Sequence, residues 1–230
     1  MRYRLTPTAD GTDTLHHPHF DQTYHSRHGA LAEARHVFLR ASGVVDRLAT
    51  GRPTRVLEVG FGTGLNALLT SMAAMKARTP LTFVSMEREV LPADTLAALN
   101  HAAILRVPTL KAPLLGWRRS LPEHVIPGVY EITLGHWALL RLIVGDATEA
   151  IVPTVSFDAV YHDAFSPDAN PALWTSPFLR TLFVSLRPGG RLATYTAKGS
   201  VRRTMQAVGF EVEKRPGPPG KREMLVGHRP

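Results

Sequence analysis

The chain has 230 residues, no cysteine and a formal net charge of +8. Disulfides, thiolate metal sites and cysteine nucleophiles are thereby excluded, and no apolar run approaches the ~20 uncharged residues that a membrane-spanning helix needs. The opening MRYRLTPTADGTDTLHHPHF lacks an apolar signal-peptide core, so a cytoplasmic location is expected, and the basic surface is suited to polyanions such as nucleic acid.

After a polar, histidine-rich lead, apolar residues at helical spacing predict one helix over Ala30–Ala49, broken by Gly51-Arg52-Pro53. Arg55–Gly60 reads as a short buried strand, Leu65–Ala77 as a helix, Leu81–Glu87 as a strand and Pro92–Asn100 as a helix with proline in its first turn. The segment 106–128, with four prolines, reads as an irregular connection. Val129–Leu134 and Ala138–Val144 then pair as a hairpin around Gly135-His136. A strand over Phe157–His162 follows, then a helix over Pro171–Leu186, a strand over Arg191–Thr196 and a helix over Ser200–Val208 closed by Gly209. Two final strand-like runs flank a proline- and glycine-rich turn. Strands alternating with helices predict a doubly wound, mostly parallel α/β sheet with an antiparallel C-terminal hairpin. Residues 1–50 are expected as an extension packed on one globular domain formed by 51–230.

In such a sheet ligands bind beyond the carboxyl ends of the strands. There, VLEVGFGTG places Gly60, Gly62 and Gly64 after the first strand, where absent side chains let backbone approach a ligand. The spacing departs from the dinucleotide fingerprint G-x-G-x-x-G, and no Lys-Ser/Thr follows to make a triphosphate P-loop. Glu58 precedes the glycines, Glu87 ends the second strand and Asp146 follows the third in VGDA. A carboxylate at the second strand end suits two ribose hydroxyls, and one after the third suits the adenine end. Glu58 would repel a pyrophosphate but suits a cationic sulfonium, so the set points to S-adenosylmethionine rather than to NAD. Asp163, closing the fourth strand, lies where a transferable methyl group would point, and a carboxylate there orients an amine nucleophile and helps its proton depart. Asp158 and Asp168 are read as turn caps. The histidines His16, His17 and His19 lack a matched carboxylate or cysteine, and no metal site is expected.

The stretches VLEVGFGTGLN, VYHDAFSPDANPALW, GGRLATYTA, VRRTMQAVGF and GKREMLVG, with YHSRHGALAEARHVFL upstream, together resemble the methyltransferase domain of the bacterial tRNA-modifying enzyme MnmC and its stand-alone counterpart MnmD. The resemblance spans nearly the whole chain. It implies a seven-stranded class I S-adenosylmethionine-dependent methyltransferase fold (Rossmann-like). The implied reaction is methylation of 5-aminomethyl-(2-thio)uridine at the tRNA wobble position to the methylaminomethyl form. The implied cofactor set is Glu58, Gly60, Phe61, Gly62, Gly64, Asn66, Glu87, Asp146 and Asp163, with Asp163 as the catalytic-site aspartate. Gly29 and Glu33 match an N-terminal signature expected to fold over cofactor or substrate. His162-Asp163-Ala164 stands where the fused enzymes commonly have Leu-Asp-Gly. The FAD-dependent oxidase domain of those enzymes has no counterpart here, so a separate enzyme is expected to supply the aminomethyl substrate.

Lys198, Arg202, Arg203, Lys221 and Arg222, with Lys214 and Arg215, are candidate phosphate contacts; Trp174 and Tyr195 are candidate stacking partners for a base, with core packing as their simpler role. Two other functions fit the same fold. One is a methyl- or aminopropyltransferase acting on a small amine, which has no need of the basic clusters. The other is a catalytically silent RNA-binding module, which has no need of Gly60–Gly64, Glu87 and Asp163 together.

Overall fold

The structure, a computed structural model, describes residues 3–230. The polar lead folds: β1 (Arg4–Pro7), β2 (Asp13–His17) and β3 (Gln22–Thr23) form a small antiparallel sheet of their own. Then come α1 (Ala30–Glu33), a π-helical segment (Ala34–Arg40) and α2 (Val44–Ala49) in place of the single predicted helix. The break has a local cause. Ala41 donates to the His36 carbonyl at 3.2 Å, one residue wider than α-helical spacing, and Gly43 turns the chain at φ 80°. The apolar face survives the break, since Leu31, Ala34, Val37, Phe38 and Leu48 are all buried.

β4 (Thr54–Val59), α3 (Leu65–Ala77) and β5 (Leu81–Glu87) follow as predicted. The next predicted helix is split at Leu99-Asn100 into α4 (Ala93–Ala98) and α5 (His101–Leu105), where Leu99 adopts extended backbone. The predicted irregular connection instead contains a helix, α6 (Pro108–Arg119), with Pro108 at its start, where the missing N–H costs nothing. Leu110, Leu114 and Arg118 line its buried face at four-residue spacing, and that burial outweighs the interior Pro113. The Arg118 guanidinium closes the helix by donating to the carbonyls of Leu91, Pro122 and Glu123.

β6 (Gly128–Thr133) and β7 (Ala138–Val144) form the predicted hairpin, followed by β8 (Phe157–His162). A 3₁₀ turn over Pro171–Trp174 precedes α7 (Ser176–Ser185), and β9 (Leu186–Thr194) starts earlier than predicted, bulging between Phe157 and Ala159 where it pairs with β8. α8 (Gly199–Ala207) and the antiparallel pair β10 (Glu211–Pro216) and β11 (Glu223–His228) complete the chain.

The main sheet has the order β10-β11-β9-β8-β4-β5-β7-β6 and eight strands, one more than the expected seven because β6 adds an antiparallel edge. The pairs from β9 through β7 are parallel. Side chains alternate between two cores: Val56, Phe83 and Tyr161 face α1–α3 and α6, while Leu57, Val59 and Val160 face α7 and α8. From β4 the chain winds outward to β5 and β7 and then returns to β8 on the other side. That reversal opens a crevice beyond the ends of β4 and β8.

Candidate active site

A cavity of about 940 Å³ fills the crevice, bounded by Val59, Met86, Gly145 and Asp163 at the strand ends and by residues of the N-terminal lead above them. Gly60, Gly62 and Gly64 all lie at positive φ, 93°, 51° and 75°. A Cβ on Gly60 would stand 2.8 Å from the Asp163 carbonyl oxygen, and one on Gly62 would stand 2.9 Å from the Tyr24 ring. One on Gly64 would meet the Phe61 ring, again at 2.9 Å. The glycines are therefore required by protein neighbours that the turn must meet, beyond the ligand approach inferred from sequence. Gly60, Phe61 and Gly62 line the cavity, whereas Gly64 starts α3 behind them.

The carboxylates take different places. Glu87 lines the cavity, with Oε2 accepting the Gly62 amide at 2.8 Å and Oε1 accepting the Glu89 amide at 2.9 Å. Burial raises its pKa. Asp146 lines the cavity at its exposed side, held low by hydrogen bonds from the Thr148 hydroxyl and amide. Asp163 receives the Asn66 amide nitrogen on Oδ2 at 2.8 Å. Burial, then Glu33 and Glu58, push its carboxyl well above the usual range, against the Asn66 hydrogen bond and the Lys221 charge.

Glu58 departs from the sequence expectation. It is completely buried under the glycine turn, bonded to the Ser85 hydroxyl at 2.5 Å, and does not border the cavity. Its direct attraction for a sulfonium is thereby withdrawn: β4 alternation turns this side chain into the sheet interior.

The lead closes the cavity from above. His25 bridges it to the glycine turn, its Nδ1 lying 3.1 Å from the Thr14 hydroxyl and its Nε2 3.2 Å from the Thr63 hydroxyl. Burial drives the His25 pKa down to about 3, so the bridging imidazole is neutral. Gln22 pairs with Ser166 across the mouth at 2.8 Å, and His17, Phe20, Tyr24 and Phe165 form an aromatic cluster there, with Phe20 and Phe165 centroids 4.4 Å apart. Gly29 has a structural reason: its φ is 140° and a Cβ would strike the Asp10 carboxylate that accepts the Ala32 amide. Glu33 pairs with Lys221 at 2.6 Å, and that ammonium sits 4.0 Å from the Tyr195 ring centroid.

Of the proposed phosphate contacts, Lys221 lines the cavity. Lys198 pairs with Asp168, and neither it nor Arg202, Arg203 or Arg222 lines the cavity. Trp174 packs in the core, stacked on His162 at 4.0 Å, while Tyr195 borders the cavity and donates its hydroxyl to the Ala164 carbonyl. Asp158 is no turn cap; it is a buried partner of Arg47 and Arg187. His16 pairs with Asp21, and His17 belongs to the aromatic cluster. The N-terminal signature was expected to fold over the site, but Gln22, Tyr24, His25 and Phe165 were not singled out, because partners such as Thr63 for His25 and Ser166 for Gln22 lie far away in the chain.

The cavity suits an elongated adenosyl ligand. Asp163 follows β8 and Asp146 follows β7, three strand spacings apart, or about 14 Å. Glu87 stands between them with spare lone pairs on both oxygens.

Residues 117–230 match the model of a family described as S-adenosyl-L-methionine-dependent methyltransferase. With the topology and the strand-end carboxylates, this places the chain in the class of S-adenosylmethionine-dependent methyltransferases. Within that class it is similar to the tRNA 5-methylaminomethyl-2-thiouridine biosynthesis bifunctional protein MnmC. The Cupriavidus metallidurans protein is 37% identical over 96% of this chain and 33% of its own length. The Aromatoleum aromaticum protein is 39% identical over 98% of this chain and 35% of its own length. The chain thus spans about a third of these curated relatives. Among solved structures, MNMC2 from Aquifex aeolicus superposes with a TM-score of 0.77 at 28% identity, covering 99% of this chain and 70% of that one. Spermidine synthase from Thermotoga maritima, at 13% identity and a TM-score of 0.52 over 98% of this chain and 72% of its own, shares the fold.

Proposed function

We propose that this chain methylates the exocyclic amine of 5-aminomethyl-(2-thio)uridine at the wobble position of tRNA. The observation that carries the reading is Asp163: an oriented carboxyl at the switch point, facing a cavity large enough for cofactor and nucleobase. S-adenosylmethionine supplies an activated methyl group when bound. Glu87 is proposed for the ribose hydroxyls, Asp146 for the adenine end, and Gly60, Phe61, Gly62 and Asn66 for the rest of the cofactor. Gly64 and Glu58 are proposed to support that set from beneath. As the new C–N bond forms, the amine must lose a proton, and Asp163 is the acceptor within reach of the cavity floor. Lys221 and Asn66 favour its charged form against the cost of burial. The lead, residues 1–50, acts in this reading as the lid of the domain formed by 51–230. The mouth cluster of His17, Phe20, Tyr24 and Phe165 is proposed to receive the unpaired base, for which aromatic faces are the ordinary partners. The reading implies tRNA as partner and a separate enzyme as supplier of the aminomethyl group.

The test is methyl transfer from labelled S-adenosylmethionine to bulk tRNA from cells lacking the final wobble methylation, with nucleoside mass analysis. Wild type should form methylaminomethyluridine. Asp163→Ala should bind cofactor yet lose at least about a hundredfold in rate, the usual worth of a positioned general base. Transfer to putrescine or spermidine, and none to tRNA, would replace the reading with the small-amine one. Cofactor binding without transfer to either would favour a silent RNA-binding module.

A further inference from the structure

At the end of the sheet away from the catalytic cavity, a second hollow of about 480 Å³ lies beside the starts of β4 and β8. The two have no lining residue in common among the described residues. Asp158, on the wall of the hollow, stands near the start of β8, whereas Asp163 follows the end of that strand, roughly 16 Å further on at ordinary strand rise. Four arginines line the hollow from three parts of the chain: Arg47 from α2, Arg52 from the segment before β4, and Arg187 and Arg191 from β9. Two carboxylates, Asp46 and Asp158, share the wall with them, so positive charge is in excess.

Half of this cluster holds the fold together. Asp158 is buried; its Oδ1 pairs with Arg47 Nη2 at 2.9 Å and accepts from Arg187 Nη1 at 3.0 Å, while its Oδ2 accepts the Arg55 amide at 2.8 Å. One carboxylate thereby ties α2 and β9 to β8. These contacts engage one nitrogen of each guanidinium, which carries five N–H donors in all, so both arginines keep donors to spare. Arg52 and Arg191 are surplus to the tie. Arg52 donates its Nε to the Thr50 hydroxyl at 3.2 Å, and neither arginine forms an ion pair among the described residues. Arg191 is nonetheless fixed in place, because its Nη1 packs so close to the start of α2 that a Cβ on Gly43 would stand 3.0 Å from it.

Like charges gathered in one hollow repel, and an anion seated among them relieves the repulsion. A phosphate group suits these donors best, since planar guanidinium forks meet its oxygens in pairs and its several oxygens can be met from several directions. We propose that the hollow is a second, non-catalytic site that binds a phosphate group, with Arg52 and Arg191 as its main ligands and Arg47 and Arg187 as donors held in place by Asp158. A nucleic-acid backbone and a free phosphate compound present the same group, and the net charge of +8 favours the first. In that case the hollow grips a backbone phosphate remote from the methylated base. That source rests on the tRNA reading; the phosphate site itself does not.

The experiment is phenylglyoxal modification of arginines in the intact protein, mapped by peptide mass analysis, alone and with inorganic phosphate or bulk tRNA. Phosphate should slow modification of Arg52 and Arg191 and leave the exposed Arg119 of α6 unchanged. In ³¹P NMR titrations, phosphate affinity should fall at least about tenfold when Arg52→Glu and Arg191→Glu are combined, a change that leaves Asp158 its two partners. Arg52→Glu alone, in an exposed segment, should weaken it in the same direction and keeps the test open if the double variant fails to fold. Arg119→Glu, the same change of charge elsewhere, should bind phosphate as wild type does. Affinity for S-adenosylmethionine should be the same in all of them, because the hollow does not border that cavity. Protection of Arg52 and Arg191 by tRNA supports the backbone source, and protection by phosphate alone assigns the site to a free phosphate compound. Equal modification with and without both probes, or equal weakening in Arg119→Glu, overturns the proposal. Absence of methyl transfer to tRNA by wild type would overturn the substrate reading, while protection by inorganic phosphate would still decide this site.

Discussion

Glu58 also links the site to stability. Its carboxyl rises from 4.5 to about 8 on folding, so between those values the folded chain keeps a proton that the unfolded chain releases. The unfolded state then binds fewer protons, and stability falls as pH rises through that window. Glu58→Gln carries no such cost. Thermal melts followed by circular dichroism should show it gaining on wild type from about pH 5 upward and reaching its full advantage above pH 8; equal melting temperatures throughout would show that Glu58 is not desolvated. As a residue type beside a glycine run Glu58 was visible in the sequence, but its direction was not, because strand alternation hides which face borders a ligand. Asp163 was legible both as a residue and as a position, since it directly follows a strand end.

At the scale of elements, the turn after β4 welds three parts of the molecule. Gly60 meets the backbone of Asp163, Gly62 meets Tyr24 of the lead, and the Gly62 amide is taken by Glu87 at the end of β5. Gly60→Ala should therefore cost about 1–3 kcal/mol through backbone strain and contact with a carbonyl that cannot yield. It should also weaken cofactor binding more than the comparable change at Gly51, which has open space around it. Urea unfolding and calorimetric titration with S-adenosylmethionine check both. The β-α alternation from β4 to α8 was readable because its apolar runs and breakers are local. Helix α6 was not: four prolines in 106–128 suggested a loop, and only the burial of Leu110, Leu114 and Arg118 against the sheet shows why a helix forms around Pro113.

Across the whole molecule, on the proposed tRNA reading, the net charge of +8 should govern association. KM for tRNA should rise steeply between about 50 and 200 mM salt through counterion release, while cofactor affinity changes little. The basic residues should separate by position. Lys221→Ala, next to Glu33 and Tyr195 in the cavity, should lower kcat; Arg203→Ala and Arg222→Ala, which do not line it, should raise KM for tRNA and flatten its salt dependence. Equal effects of all three would remove the distinction. Among the described residues no helix is long and apolar enough to cross a membrane.

The amino-acid sequence by itself determined the class of sheet, the strand that carries the glycine turn and the carboxylates at successive strand ends, because hydrophobic period and turn chemistry are short-range properties. The tertiary structure alone decided which residues of the lead, His17, Phe20, Gln22, Tyr24 and His25, border the cavity, and that of the candidate phosphate contacts Lys221 lines it while Lys198, Arg202, Arg203 and Arg222 do not. It also decided that Glu58 is buried against Ser85 and does not border the cavity. Those outcomes depend on contacts between residues far apart in the chain, and on which side of a strand faces water, neither of which a local pattern encodes.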